Sequence, residues 1–284
     1  MKFPTISAIA AIAAIAIVAP ANAASIVADP VFFSATDDEA TLQGLGVPSL
    51  TFGDTTIYIG SQQVAGDNQD PILTSFTNGT RNWLVTDYET TGTDGRGIGL
   101  LWDGGSDLYA AFTVDGTQGT PDQDFRRFTE NGWLTSYGAG GGATVSVLLK
   151  LDPLTGAGLS GTFITSLLSD MTSNTVIPTG LDFTGDGNVV FYGDSFHSPR
   201  NVDGDMQEQT EVSDPPFSYT AVFDPNLETA LCAEAPGWDG VPLNSQGSCV
   251  SDDEPVATVP EPGTIAGLSL FGLGWLLSRR RGNG

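Results

Sequence analysis

Ser195 and His197, two residues apart in Gly193-Asp-Ser-Phe-His197, set a hydroxyl beside the chain's sole imidazole. A serine mechanism needs a base that a separate part of the fold holds and aims. Residues i and i+2 of an extended segment share a face but lack that separate scaffold. One histidine also excludes any centre built from several imidazoles. Closely spaced acids are the other candidates: Asp122 with Asp124, Asp182 with Asp186 and Asn188, and Asp203 and Asp205 with Glu208. Calcium takes about six to eight oxygen ligands, and Asp203, Asp205 and Glu208 are the candidate set for it. Asn201-Val-Asp203-Gly-Asp205-Met206 is no EF-hand, because methionine stands where that loop requires glycine. Glycoside hydrolysis needs two carboxyls at ~5 to 9 Å, which spacing in the chain does not set. Trp83, Trp102, Trp133, Tyr109 and Tyr137 have rings that stack on sugars or fill a β core, and alternation along strands favours the core.

The elements that must position these groups are strands. Apolar residues show no sustained 3.6-residue period; instead short runs rich in Val, Ile, Phe, Tyr and Thr alternate with Gly/Asp/Asn clusters. Strands are expected over Thr56–Ile59, Trp83–Thr86, Gly99–Trp102, Leu108–Val114, Thr144–Leu151, Gly161–Leu167, Gly180–Phe183, Val189–Tyr192 and Ser218–Phe223. The clearest hairpin runs from Gly180 to Gly193, with Asp186-Gly187 expected to supply the positive-φ positions of its turn. Similar cells occur at Gly99–Phe112 and Phe52–Gly60, which suggests an internal repeat. The fold class is therefore all-β, propeller-like or multi-hairpin, with a β-sandwich as the alternative. Residues 24–45 have the composition of an arm rather than of core.

Charge narrows the function. The 284 residues hold 34 acids and 10 bases, for a net charge of −24. Leaving aside Glu261, Lys2, Arg279, Arg280 and Arg281, the segment from Ala24 to Thr258 has 33 acids against 6 bases. Such a surface repels phosphate backbones and excludes nucleic acid as a default partner.

Both ends read as targeting segments. Lys2, an uncharged Ala/Ile run and Ala21-Asn22-Ala23 have the layout of a secretory signal peptide over residues 1–23, cleaved after Ala23. An acidic linker over 250–258 leads to Val259-Pro260-Glu261-Pro262-Gly263, an uncharged stretch from Thr264 to Leu277 and then Arg279-Arg280-Arg281. That stretch is about 21 Å long as a helix, short of a hydrocarbon core of about 30 Å, so a span needs flanking residues or a thinned bilayer. The arginines hold its far end in the cytoplasm. Outside the cytoplasm Cys232 and Cys249 are expected to pair within the domain at 24–249, stabilising it by about 3 kcal/mol on the chain-entropy account.

Residues 259–281 resemble the PEP-CTERM sorting signal of bacteria that make extracellular polysaccharide, in wording most similar to cyanobacterial copies. The resemblance implies processing by an exosortase in the inner membrane near Pro260-Glu261-Pro262, a transient membrane anchor, and delivery to the envelope, surface or exterior. Thr144 to Ser198 resembles bacterial β-propeller repeats, with Leu151-Asp-Pro-Leu-Thr-Gly156 echoed by Phe223-Asp-Pro-Asn226. The spacings of 72 residues from Asp152 to Asp224 and 82 from Gly105 to Gly187 exceed a usual blade of about 40 to 50. Phe191-Tyr-Gly-Asp-Ser195 resembles the Gly-Asp-Ser block of a lipase/esterase family, but no histidine follows His197 to complete that pattern. The expected function is a non-enzymatic surface or matrix protein associated with exopolysaccharide. The rival is a carbohydrate-active hydrolase or calcium-dependent lectin displayed by the same route. Mass spectrometry of the exported protein is expected to find Ala24 at the new N-terminus and a C-terminus near Pro260–Pro262, with Glu261→Ala blocking the second cut. Intact termini would overturn this reading.

Overall fold

The computed structural model describes residues 23–140, 144–243 and 249. The expected signal peptide, linker and sorting segment lie outside them, apart from Ala23. Among the described residues no helix is long and apolar enough to cross a membrane.

The chain is all-β, as its alternation predicts. It forms β1 (Ala24–Val27), one short helix α1 (Glu39–Leu45), then β2 (Ser49–Phe52), β3 (Thr55–Ala65), β4 (Asn68–Thr77) and β5 (Thr80–Val85). Next come β6 (Gly95–Trp102), β7 (Leu108–Val114), β8 (Val145–Leu151) and β9 (Gly158–Ile164), with a minor pair β10 (Ser166–Leu167) and β11 (Ser173–Asn174). The last four are β12 (Val176–Phe183), β13 (Val189–Ser195), β14 (Phe217–Phe223) and β15 (Ala230–Glu234). All strand pairs of these sheets are antiparallel, and the sheets do not close into a barrel. The first sheet has the order β2-β3-β4-β5, the central one β1-β6-β7-β8-β9, and the third β12-β13-β14-β15.

Period-two alternation explains how the sheets pack. Along β7, Leu108, Ala110, Phe112 and Val114 enter one core with Ile57, Ile59 and Leu73 of the first sheet. Tyr109 and Ala111 point the other way, into a second core with Val189, Phe191, Tyr219 and Phe223 of the third sheet. The middle of the central sheet is thus buried on both faces, and β7 and β8 read as near-continuous apolar runs. The two outer sheets are covered as well. Tyr58, Ile72 and Phe76 pack against Phe33, Leu42 and Val47, while Val190, Val222 and Cys232 pack beneath Leu243 and Cys249. Cys232 and Cys249 form the expected disulfide, with Cα atoms 5.4 Å apart.

Several expectations need correction. Residues 24–45 are not an arm: Ala24–Val27 pairs with Gly99–Trp102 at the edge of the central sheet. Asp38 caps α1 by accepting from the Thr41 amide at 2.9 Å, and Leu42 is fully buried. In the hairpin turn only Gly187 has positive φ, 83°. Its amide bonds the Thr184 carbonyl, so a turn of 184–188 serves where a two-residue connection was expected.

Three four-strand meanders run β2–β5, β6–β9 and β12–β15. The cells at 99–112 and 180–193 fall in the first hairpins of the second and third, and the cell at 52–60 covers the turn from β2 into β3. Asp152 and Asp224 open the turns between third and fourth strands, each carboxylate accepting the amide two residues on. Long connections, 115–144 and 196–216, lie between the second and third strands of the two later meanders. Phe112 lies at the centre of the first core, 5.0 Å from Phe125 and 5.3 Å from Tyr88 between ring centroids. Phe112→Ala should cost about 3 to 5 kcal/mol in urea unfolding.

Candidate functional site

Two places combine exposure or buried charge with convergent polar groups. The first is a cleft of about 430 Å³ where hairpin ends of the first and central sheets meet. Phe52, Trp83, Trp102 and Leu154 form apolar walls, and Thr55, Thr77 and Asn82 supply polar groups. Both indole N–H groups are held by turn carbonyls, Trp83 by Pro153 at 2.9 Å and Trp102 by Gly105 at 3.0 Å. The Phe52 ring stands edge-on to Trp102 at 4.9 Å. Gly104, with φ 78°, leaves room for Phe52, whose ring a Cβ at that position would strike. On the polar side the Thr55 and Thr77 hydroxyls lie 2.8 Å apart, and Asn82 Nδ2 donates to Thr77 Oγ1 at 2.8 Å. An apolar wall with a few fixed hydroxyl and amide groups suits a ligand with both C–H faces and hydroxyls.

The second is a buried carboxyl pair. Asp70 on β4 and Glu89, in the crossing from β5 to β6, are brought together through Asn68 and Thr91 and feel each other's charge. Glu89 is fully buried and Asp70 nearly so. Glu89 Oε1 accepts the Thr91 amide at 2.6 Å; Asn68 Nδ2 donates to Asp70 Oδ1 at 3.2 Å and to the Thr91 carbonyl at 3.1 Å. Burial, reinforced by the Glu89 charge, pushes Asp70 up to about 7. Burial raises Glu89 as well. The surrounding acids are neutralised differently: Asp94 pairs with Arg96 at 3.1 Å, and Asp124 with Arg126 at 2.8 Å.

The groups singled out from sequence are mostly scattered. Ser195 is buried, and its hydroxyl donates to the backbone carbonyl of His197 at 2.8 Å; the His197 side chain is exposed. Asp203, Asp205 and Glu208 are exposed along a turn that Asn201 organises by accepting the amides of Asp203 and Asp205. Glu208 sits apart, its amide bonded to Asp239. Among the described residues no three His, Cys, Asp or Glu side chains converge as a metal site. Asp122 is exposed while Asp124 is buried against Arg126, so that pair is divided. Asp182 accepts the Phe183 amide within β12, apart from the turn holding Asp186. Of the five aromatics, Trp83 and Trp102 are buried in the first core but present an edge to the cleft; Tyr109 and Tyr137 are buried away from it, and Trp133 packs on Phe223 with its N–H on the Val202 carbonyl. Val259, Pro260, Glu261, Pro262, Arg279, Arg280 and Arg281 lie outside the described residues.

Asp70 and Glu89 were not singled out from the sequence. They stand nineteen positions apart, and nothing in either segment announces that the crossing folds back onto β4. Comparison with protein-family models, curated proteins and solved structures finds no match.

The pair has a pH consequence. Because folding raises Asp70 from about 3.9 to about 7, its protonated form is the one the native state favours. Its contribution is fully present below about pH 4 and is lost as pH rises through about 7. Thermal melts in metal-free buffer should therefore find Asp70→Asn level with wild type at low pH and more stable at mildly alkaline pH. Parallel pH profiles would refute this.

Proposed function

We propose that the chain is an exported, non-enzymatic envelope or surface protein whose β domain associates with extracellular polysaccharide through the cleft at Phe52, Trp83 and Trp102. The observation that carries this reading is the cleft's composition: aromatic walls facing Thr55, Thr77 and Asn82 at one mouth. A pyranose ring has apolar C–H faces and a hydroxyl rim, and aromatic surface with hydroxyl and amide partners matches both. The export half of the proposal rests on the two terminal segments, with an exosortase as processing partner and the inner membrane as a temporary anchor. The three meanders are read as propeller-type blades enlarged by insertions. Net negative charge keeps such a protein soluble among anionic polysaccharides and disfavours nonspecific adhesion to them.

Affinity electrophoresis through gels containing purified bacterial exopolysaccharide tests the proposal. Wild type should be retarded, and Thr77→Val with Asn82→Ala should weaken retention about tenfold, the scale of one or two lost hydrogen bonds. The variant should still melt cooperatively, at a somewhat lower midpoint, because it loses the Thr55–Thr77 bond and the Asn82 donor to Ser75. Equal mobility of the two proteins, or no retardation of wild type by any polysaccharide, would overturn the cleft assignment. Release of reducing ends would convert the reading to a hydrolase.

A further inference from the structure

The Asp70–Glu89 pair differs in its surroundings from Asp124, the other buried acid among the described residues, which has Arg126. The half-buried Asp94 nearby also has an arginine. Among the described residues Asp70 and Glu89 have no ion-pair partner, although they are 4% and 0% exposed. Two carboxyls that dry do not both stay charged without a proton or a cation to neutralise them.

The unfilled oxygens indicate by what. Glu89 Oε2 and Asn68 Oδ1 are both buried with no hydrogen-bond partner, and so is Thr93 Oγ1 on the same crossing. Asn68 cannot be turned to help, because its Nδ2 already serves two acceptors, Asp70 Oδ1 and the Thr91 carbonyl. A proton shared between the carboxyls would satisfy that pair alone and leave the Asn68 oxygen orphaned. A cation satisfies several oxygens at once, and carboxylate and amide oxygens are the ligands that hard cations take.

We propose that Asp70 and Glu89, with the carboxamide oxygen of Asn68, bind a hard divalent cation of calcium's class where the first sheet meets the start of β6. The site is distinct from the Asp203–Glu208 loop. It ties the crossing to β4: Gly95, which begins β6, sits against Pro71 and Glu89, so that a Cβ there would lie 3.0 Å from Pro71 Cδ and 3.7 Å from Glu89 Cβ. Water completes the remaining coordination, as it does in many calcium sites.

Thermal melts of the full chain in mildly alkaline buffer, with calcium chloride against EDTA, test the assignment. A ligand that binds only the folded state raises the midpoint, and saturating calcium should raise it by several degrees. Asp70→Asn and Glu89→Gln replace charge by near-isosteric amides, should still melt cooperatively, and should each lose the calcium-dependent rise. Asp203→Asn should keep it. Midpoints indifferent to calcium and magnesium, a rise that survives both pair substitutions, or a rise abolished by Asp203→Asn instead would each overturn the proposal.

Discussion

Burial of the central sheet on both faces is the constraint from which the rest of the domain follows. With Phe112 and Val147 committed to one core and Tyr109 and Leu148 to the other, β7 and β8 have no face left for solvent. The outer sheets must then bury their inner faces against it, and their outer faces acquire covers of their own, α1 and its flanks on one side and the disulfide-linked segment on the other. Polar function is pushed to the strand ends. Both candidate sites obey that rule, the cleft lying at hairpin tips and the carboxyl pair where the chain crosses between sheets.

The same constraint decides what sequence could reveal. Leu108–Val114 and the run ending at Leu151 stand out because double-sided burial makes them unbroken apolar runs, and the hairpin at 180–193 is marked by its Gly-Asp-Gly turn. Ala24–Val27 is invisible for the opposite reason: four residues beside a signal-like segment carry too little pattern, and their partner lies beyond sixty residues of other structure. Trp83 and Trp102 were identifiable as large rings but not as neighbours, since they come from different sheets. Asp203, Asp205 and Glu208 are closer in sequence than Asp70 and Glu89, yet the Asn201 turn exposes the former while sheet packing encloses the latter.

Charge is handled with economy. All six basic residues of the domain bond inward or to neighbouring acids. Arg81 reaches the carbonyls of Ala35 and Asp37, Arg127 those of Asp87 and Asp122, and Arg200 those of Thr165 and Gly204. Arg96, Arg126 and Lys150 pair with Asp94, Asp124 and Asp107. The acids are left to dominate the exterior field, which favours cations over anions at every approach. Arg200 in particular anchors the insertion at 196–216, its Nη2 reaching Ser173 Oγ on β11 at 3.3 Å.

Pairing of Ala24 with Trp102 has a temporal consequence. β1 is an edge strand of a sheet whose neighbouring strand lies roughly seventy residues further along the chain, and non-local pairings of this kind form slowly. Until β6 forms, the β1 backbone has no ladder partner in that sheet, so this edge of the central sheet is latched only after the whole first meander, β2 to β5, lies between the two strands in the chain.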